Sequence, residues 1–345
     1  MTYIFKFNCL KVSTVALFLL FYQCAQGQQF TELDAFVSSR EKALGGDVIT
    51  MVGNKDTIIA QKATKLFTPR TAVPIGQMSQ WLTAVVVLSL VEEGKLSLDD
   101  KVSAYLPVFE KYGKNFITIR HCLTHFTGIE AGGKGGLFSR KSASLEEEAA
   151  SYAAREIKTN PGTEFQYSSV GPAIAARVAE VVSKKRFDAL AQQKVFRPLG
   201  MRQTSFSTLD GSAVNAFSGA RSTAADLMVF LRMLLNNGVR NGQQVVSPAI
   251  VKELRTLATP GAKLKPVDIP EGTGFVAGAW APEAKSGEAS TLLGPGFGNV
   301  LALVDFCRGS AFVLLVKDPK DESVATTYPS IRLLLQKSFP KVVCN

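Results

Sequence analysis

Short motifs that pair a nucleophile with a base are few in this chain, and two histidines leave little material for a histidine-based site. Two Ser-x-x-Lys sequences, Ser39–Lys42 and Ser338–Lys341, have the spacing that places a lysine beside a serine on one helix face, where the amine can take the hydroxyl proton. Both fall in predicted terminal helices away from the expected cleft, and such short motifs recur by accident. The two histidines, His121 and His125, are interpreted as helix residues that support the fold.

Composition limits the other classes of chemistry. The chain has 345 residues, of which 46% are hydrophobic and 20% charged, so it is long and apolar enough for one large domain or two closely packed ones. Disorder as the main state is excluded. Neither a CxxC nor an HExxH spacing occurs, and the sequence therefore predicts no metal site and no cofactor.

The first 27 residues are predicted to be a cleaved signal peptide. Two lysines precede the uncharged run Val12–Tyr22, and small residues follow at Ala25 and Gly27. This run is too short for a membrane helix, which needs about 20 apolar residues. A lipid anchor at Cys24 is disfavoured because a bulky glutamine precedes it. We therefore expect an exported protein, periplasmic or secreted, with no transmembrane segment in the mature chain.

Charge and the remaining cysteines indicate an exported protein with a basic surface. Removal of the signal segment takes away two lysines and no acidic residue, so the net charge falls from +10 to +8. The basic residues are scattered, whereas nucleic-acid-binding proteins usually concentrate them, and no nucleic-acid partner is expected. Cys122 lies in an apolar helical stretch and is expected to be a buried free thiol. Cys307, at a predicted turn, and Cys344 are candidates for one disulfide.

The hydrophobic pattern predicts an α+β fold. Strands lie at both ends of the chain with mostly helical sequence between them, which predicts an antiparallel sheet built from both ends, flanked by terminal helices, with a helical part inserted. We assign the sheet part to about 28–75 and 270–345 and the helical part to about 76–269. The predicted helices are 30–44, 79–93 and 326–338, and the predicted strands are 47–51, 57–60, 274–280, 290–304 and 310–317. A cleft between the two parts is the expected ligand site.

Several segments, in order along the chain, resemble the serine β-lactamase and penicillin-binding-protein-like family, in particular its class C β-lactamase-related members. The matching segments are 90–100, 117–125, 161–168, 198–206, 222–227 and 295–297. The resemblance covers roughly residues 30–340. It implies the β-lactamase/transpeptidase-like fold and, for an active member, hydrolysis of an acyl ester or amide.

The family's nucleophile and base are missing from the matching positions. The resemblance implies a Ser-x-x-Lys motif at the start of the apolar helix, and counting back from Gly94 places these positions at Gln77 and Gln80. A carboxamide has neither a hydroxyl that can be acylated nor an amine that titrates.

The other two motifs of the family are also altered. The Tyr-x-Asn motif corresponds to Tyr167 and Ser169, so the tyrosine is kept and the asparagine is lost. The strand motif, Lys-Thr-Gly or His-x-Gly in the family, corresponds to Ser290 and Thr291 followed by a leucine, without the cation. Lys285-Ser286-Gly287 resembles this motif directly but is interpreted as a hairpin turn.

These losses predict a catalytically inactive member, a pseudoenzyme, because removing a nucleophile alone typically costs about a millionfold in rate. We expect it to bind a peptide or cell-wall-like ligand, or a protein partner. The expected cleft lining is neutral and hydrogen-bonding, which suits amides better than a carboxylate. Its residues are Gln77, Gln80, Tyr167, Ser169, Ser290 and Thr291. The alternative is a serine hydrolase (an esterase, D-amino-acid peptidase or β-lactamase-like enzyme) with Ser79 or Tyr167 as an unusual nucleophile.

Overall fold

A seven-stranded antiparallel sheet joins the two ends of the chain. The computed structural model describes residues 30–64, 67–131, 142–208, 210–258, 273–295, 298–318 and 323–340. The sheet strands are β1 (Val48–Asn54), β2 (Ile58–Ala63), β7 (Gly274–Val276), β8 (Ala279–Lys285), β9 (Glu288–Leu293), β10 (Val300–Asp305) and β11 (Ser310–Val316). Their order is β2-β1-β11-β10-β9-β8-β7, so the first and last strands of the chain are neighbours inside the sheet. The predicted fold class, an antiparallel sheet built from both ends with helices inserted, is confirmed.

Helices cover both faces of this sheet. On one face lie the terminal helices α1 (Thr31–Arg40) and α11 (Ser323–Ser338), which share an apolar cluster with the sheet. The other face carries the inserted part. Its helices are α2 (Ser79–Glu92), α3 (Val108–Lys111), α4 (Ile119–Leu123), α5 (Leu145–Ala153), α6 (Val170–Ser183), α7 (Phe187–Ala191), α8 (Arg197–Leu199), α9 (Ala224–Leu235) and α10 (Pro248–Glu253). Two short ribbons complete the fold, β3 (Val73–Pro74) with β4 (Arg221–Ser222) and β5 (Val239–Arg240) with β6 (Gln243–Gln244).

The sequence pattern located the main elements and misplaced some of their ends. Helix α1 stops at Arg40, four residues before the predicted end, although Leu44 is buried in the turn that follows. The run 290–304, predicted as one strand, contains the end of β9 and most of β10, which are two separate strands. The predicted signal segment lies outside the described residues, and the proposed division at about 75 and 270 stays a prediction. Among the described residues, no helix has the length and apolarity to cross a membrane.

The helix α2 forms the centre of the inserted part. Every residue from Ser79 to Leu90 is buried, as expected from a sequence that is apolar on all faces. Helix α6 packs against α2 and against α4. Contact between α6 and α4 depends on Gly171, because a Cβ there would lie 2.1 Å from the carbonyl oxygen of Cys122. This close approach sets the segment just before α6 beside the segment just after α4.

We predict that Gly171→Ala destabilises the protein although alanine favours helices. Overpacking typically costs about 1–3 kcal/mol, and the atom that the new Cβ would meet belongs to the backbone. This cost should exceed the ~1 kcal/mol that alanine gains in helix propensity. Denaturant unfolding should show a net loss of up to about 2 kcal/mol. Gly298→Ala is the control, because a Cβ at Gly298 meets nothing within 4 Å. Equal stability of the two variants would contradict the tight contact.

Candidate ligand site at the start of the buried helix

Two glutamines mark the point where α2 begins. Gln77 lies in the 3-10 turn Gly76–Met78 that leads into the helix, and Gln80 lies in the first helical turn. Because they are three residues apart, their side chains leave the same side of the chain. Gln80 is buried and Gln77 is partly exposed. The pair therefore connects the interior to the surface.

A single chain of hydrogen bonds runs through these side chains. The backbone N–H of Ser168 donates to Nδ1 of His125 (3.4 Å), so the proton of the neutral ring is on Nε2, which donates to Oε1 of Gln80 (2.6 Å). Nε2 of Gln80 donates to the hydroxyl of Tyr167 (2.6 Å), and this hydroxyl donates to Oε1 of Gln77 (3.0 Å). Each donor from Ser168 to Tyr167 finds an acceptor, and the direction of every bond follows from the backbone N–H at its start.

The place of His125 in this chain was not expected from the sequence. Helix α4 ends at Leu123, and His125 follows it in the left-handed region, with φ of 62°. The interpretation of His125 as a helix residue is therefore wrong. His121 does belong to α4, where its ring nitrogen Nδ1 accepts from the backbone N–H of Thr118 and its backbone N–H donates to the Thr118 side chain, a reciprocal cap.

The two titratable side chains in this chain of hydrogen bonds, His125 and Tyr167, are neutral at neutral pH. Complete burial lowers the pKa of His125 to about 3, because it disfavours the charged form of the ring. Burial also raises the pKa of Tyr167, more than its bond to Gln80 lowers it. A general base works best with a pKa near the working pH, and neither group meets this condition. The arrangement therefore orders a set of neutral hydrogen-bonding groups.

Aromatic rings surround the polar chain. The Tyr167 ring contacts Phe217 (5.4 Å between centroids), Trp280 (5.3 Å) and His125 (4.7 Å), and Phe275 lies 5.1 Å from His125. Phe165 touches four members of this group. Rings exclude water from the hydrogen bonds, which strengthens them. Phe165, Tyr167 and Phe217 remain partly exposed, whereas Phe275 and Trp280 are buried.

Helix α2 itself holds the loop that carries one of these rings, Phe217. The hydroxyl of Ser79 accepts from the backbone N–H of Ala220 (3.0 Å) and donates to the carbonyl of Gly76 (2.5 Å). Thr83 donates to the carbonyl of Ala216 (2.7 Å), so two bonds fix the loop that carries Phe217. Ser79 is fully buried and its hydrogen is engaged, which leaves it poorly placed to act as a nucleophile.

The turn between β7 and β8 touches the first turn of α2. Gly278 has φ of 77°, and a Cβ there would lie 2.7 Å from the carbonyl oxygen of Gln80. Only glycine allows this approach without strain. The hairpin thereby brings Phe275 and Trp280 against Tyr167.

The structure brings together some of the predicted site residues and places others elsewhere. Gln77, Gln80 and Tyr167 form one hydrogen-bonded group. Ser169 instead lies 3.2 Å from the hydroxyl of Tyr152, which donates to Glu148 (2.8 Å). Burial is the main influence on the Glu148 carboxyl and raises its pKa.

The two predicted residues of the strand motif bond to Glu283. Ser290 donates to its carbonyl (3.4 Å), and Thr291 lies 3.5 Å from its carboxylate. Thr291 is buried and lines a small cavity beside α11 together with Arg332, on the sheet face that carries the terminal helices. Among the described residues, neither side chain is hydrogen-bonded to the glutamine–tyrosine group.

The competing motifs of the sequence lie away from this site. Lys285-Ser286-Gly287 spans the β8–β9 turn, where Ser286 and Gly287 both have positive φ, so its interpretation as a hairpin turn is confirmed. Ser39 donates to the carbonyl of Phe36 within α1, and Ser338 donates to the carbonyl of Leu334 within α11. Lys341 is outside the described residues.

The cysteines take no part in this site. Cys122 is buried and free, as expected, and burial raises the pKa of its thiol. Cys307 is disulfide-bonded. Its predicted partner, Cys344, lies outside the described residues, and the pairing stays a prediction. Among the described residues, no cluster of three or more potential metal ligands occurs.

Comparison with known proteins identifies one family. A sequence model described as Beta-lactamase matches residues 31–336. Among curated relatives, Protein flp of Staphylococcus aureus (strain N315) is 28% identical over 142 residues, covering 40% of this chain and 28% of flp. The matched segment thus spans less than a third of that relative.

Solved structures share the fold over most of the chain. A candidate beta-lactamase from Bacteroides dorei DSM 17855 has a TM-score of 0.80 at 24% identity and covers 89% of this chain and 99% of its own. EstCE1, a hydrolase with promiscuous acyltransferase activity, has a TM-score of 0.75 at 18% identity and covers 91% of this chain and 99% of its own. At these identities the similarity shows the fold alone.

We predict that acidification destabilises the native structure through His125. The unfolded chain has the ordinary histidine pKa of about 6.5, whereas the folded chain holds it near 3. Between these values the unfolded state binds a proton that the folded state does not, so the free energy of unfolding falls by up to ~1.4 kcal/mol per pH unit as pH falls. Urea unfolding between pH 7 and pH 5 measures this slope.

His125→Asn should make the slope shallower, and asparagine tolerates the left-handed backbone. His121→Asn is the matched control. The pKa of His121 is also lowered by burial, but this ring is only partly buried, so its removal should change the slope less. A slope that His125→Asn leaves unchanged would disprove the assignment of a buried neutral ring.

Proposed function

Because the chain belongs to the beta-lactamase family, we propose that it is a member that binds a ligand in the family's cleft without catalysing its hydrolysis. One observation carries this proposal. The nucleophile and base positions are Gln77 and Gln80, and their side chains are ordered in a neutral hydrogen-bond chain with Tyr167 and His125. The fold is that of the family's serine hydrolases, with an esterase and an amidohydrolase among its structural neighbours.

The arrangement supports binding rather than a degraded site. Buried polar groups that lack partners cost about 1–3 kcal/mol each, so a site that lost its chemistry without other constraint would be expected to fill with apolar side chains. Here the carboxamides of Gln77 and Gln80 and the hydroxyl of Tyr167 have mutual partners. A neutral polar surface of this kind suits a peptide or cell-wall-like amide. The alternative ligand for this cleft is a protein partner.

Export of the mature chain belongs to the same proposal. The signal segment predicted over residues 1–27 and the net charge of +8 that remains suit an environment of anionic cell-surface polymers.

The competing function is a hydrolase with an unusual nucleophile. The hydrolases among the structural neighbours favour it, and Ser79 and Tyr167 carry the hydroxyls nearest the family's nucleophile position. Against it stand the complete burial of Ser79 and the raised pKa of Tyr167. Neither hydroxyl has a base that titrates near neutral pH among its described hydrogen-bond partners.

We predict that the purified protein forms no covalent adduct with a fluorescent penicillin or a fluorophosphonate, as measured by intact mass. Gln77→Ser/Gln80→Lys should acquire labelling. Burial lowers the pKa of a lysine at this position, and Nε2–H of His125 favours the neutral amine that can accept the serine proton. Labelling should be slow, because Ser290 still replaces the strand cation.

Gln77→Ala/Gln80→Lys is the matched control for this experiment, since it carries the amine without the hydroxyl. An adduct on the native protein would overturn the noncatalytic proposal. Its loss in Ser79→Ala or in Tyr167→Phe would then identify the nucleophile.

A further inference from the structure

The direction of the hydrogen-bond chain determines what it presents at the surface. It starts at the backbone N–H of Ser168 and ends at Oε1 of Gln77, which accepts from Tyr167. The other end of the Gln77 carboxamide, its NH2 group, has no acceptor among the described residues. Gln77 is partly exposed and Gln80 is buried, so the chain ends in a pair of free N–H donors at the outer position.

These donors are held in a fixed orientation. A flip of the Gln77 carboxamide would point its NH2 group at the hydroxyl hydrogen of Tyr167, and that hydrogen cannot turn to Gln80, whose Nε2 already donates to the oxygen. Gln80 cannot flip either, because its Oε1 accepts from His125. A donor fixed in this way loses little freedom on binding, which favours a ligand that carries a hydrogen-bond acceptor.

The surroundings of Gln77 restrict that ligand further. The hydroxyl of Tyr167 connects Gln77 to a group of rings, of which Phe165, Phe217 and Tyr167 itself are partly exposed. Partly exposed rings beside a polar group bind an apolar substituent next to a polar one. Among the described residues, no lysine or arginine is hydrogen-bonded or ion-paired to the four side chains of the hydrogen-bond chain. These side chains therefore offer no positive charge to offset the cost of desolvating an anion.

On the basis of the proposed binding function, we propose that Gln77 is a specificity-determining donor, and that its NH2 group binds the carbonyl oxygen of a neutral acyl amide whose apolar acyl group lies on Phe217 and Phe165. At the position where the family's serine would attack a carbonyl carbon, this chain has Gln77, whose NH2 group donates to the carbonyl oxygen instead. Binding is reversible, and no bond is made or broken.

Isothermal titration calorimetry with N-phenylacetylglycinamide tests this assignment, with phenylacetate as the charged probe that carries the same ring. Gln77→Glu has nearly the same shape and keeps an oxygen that accepts from Tyr167, but it replaces the NH2 group by an acceptor. We expect its Kd for the amide to rise about tenfold or more. Gln77→Met removes the donor without adding charge and should weaken binding in the same direction. Gln61→Glu, an exposed position on β2, controls for the added charge.

The side-chain NH2 resonances of protein with 15N-labelled glutamine give a second measurement. One pair, absent from Gln77→Met, should shift when the amide is added to the native protein. Equal amide affinity of the native protein, Gln77→Glu and Gln77→Met would overturn the role of Gln77 and leave noncovalent binding standing. Failure of the native protein to bind the amide, or tighter binding of phenylacetate, would overturn the ligand class. A covalent adduct of either probe would overturn the proposed function itself.

Discussion

The neutral ring of His125 is the constraint on which the candidate site depends. Its position after α4, in the left-handed region and among aromatic rings, fixes one tautomer, because one ring nitrogen meets a backbone N–H. That tautomer then sets the orientation of Gln80, of the Tyr167 hydroxyl and of Gln77 in turn. A protonated ring would direct a second donor at the N–H of Ser168, so the order of the chain requires that the ring stay neutral.

Packing over long sequence distances creates this environment. Helices α4 and α6 meet at Gly171, which places His125 beside Ser168, and the hairpin turn at Gly278 reaches the carbonyl of Gln80. The loop with Phe217 is bonded to α2 through Ser79 and Thr83. Four distant segments thus converge on the start of one helix. The buried members of the network, His125 and Gln80, have hydrogen-bond partners, and a buried network satisfied in this way specifies a single arrangement, whereas buried groups without partners would be costly.

The sequence predicted the architecture because the order of strands and helices follows from local hydrophobic patterns. The positions Gln77, Gln80 and Tyr167 came from the resemblance to the family, through the count back from Gly94 and the match at the tyrosine motif. His125 could not be found in this way. Its neighbours have the pattern of a helix, and its left-handed backbone and its partner Gln80 result from tertiary contact. The same reason explains Thr291, since the sequence does not show which sheet face a strand residue meets once β8 and β9 pair with irregular register.

The direction of the hydrogen bonds also explains why glutamine stands at both position 77 and position 80, where the family has serine and lysine. Nε2–H of His125 needs an acceptor at position 80, which a carboxamide or a neutral amine provides and an ammonium does not. The NH2 group of Gln80 donates to the hydroxyl oxygen of Tyr167, so the tyrosine hydrogen points toward position 77. An acceptor is therefore needed at position 77. A serine there could accept that hydrogen and still donate its own, but Tyr167, which already donates to it, would not be the group that takes its proton. Gln77 meets the requirement with its carbonyl oxygen and keeps a second polar end for the surface. Once the amine at position 80 is replaced by an amide, the hydrogen-bond order at position 77 favours a group that binds over a group that reacts.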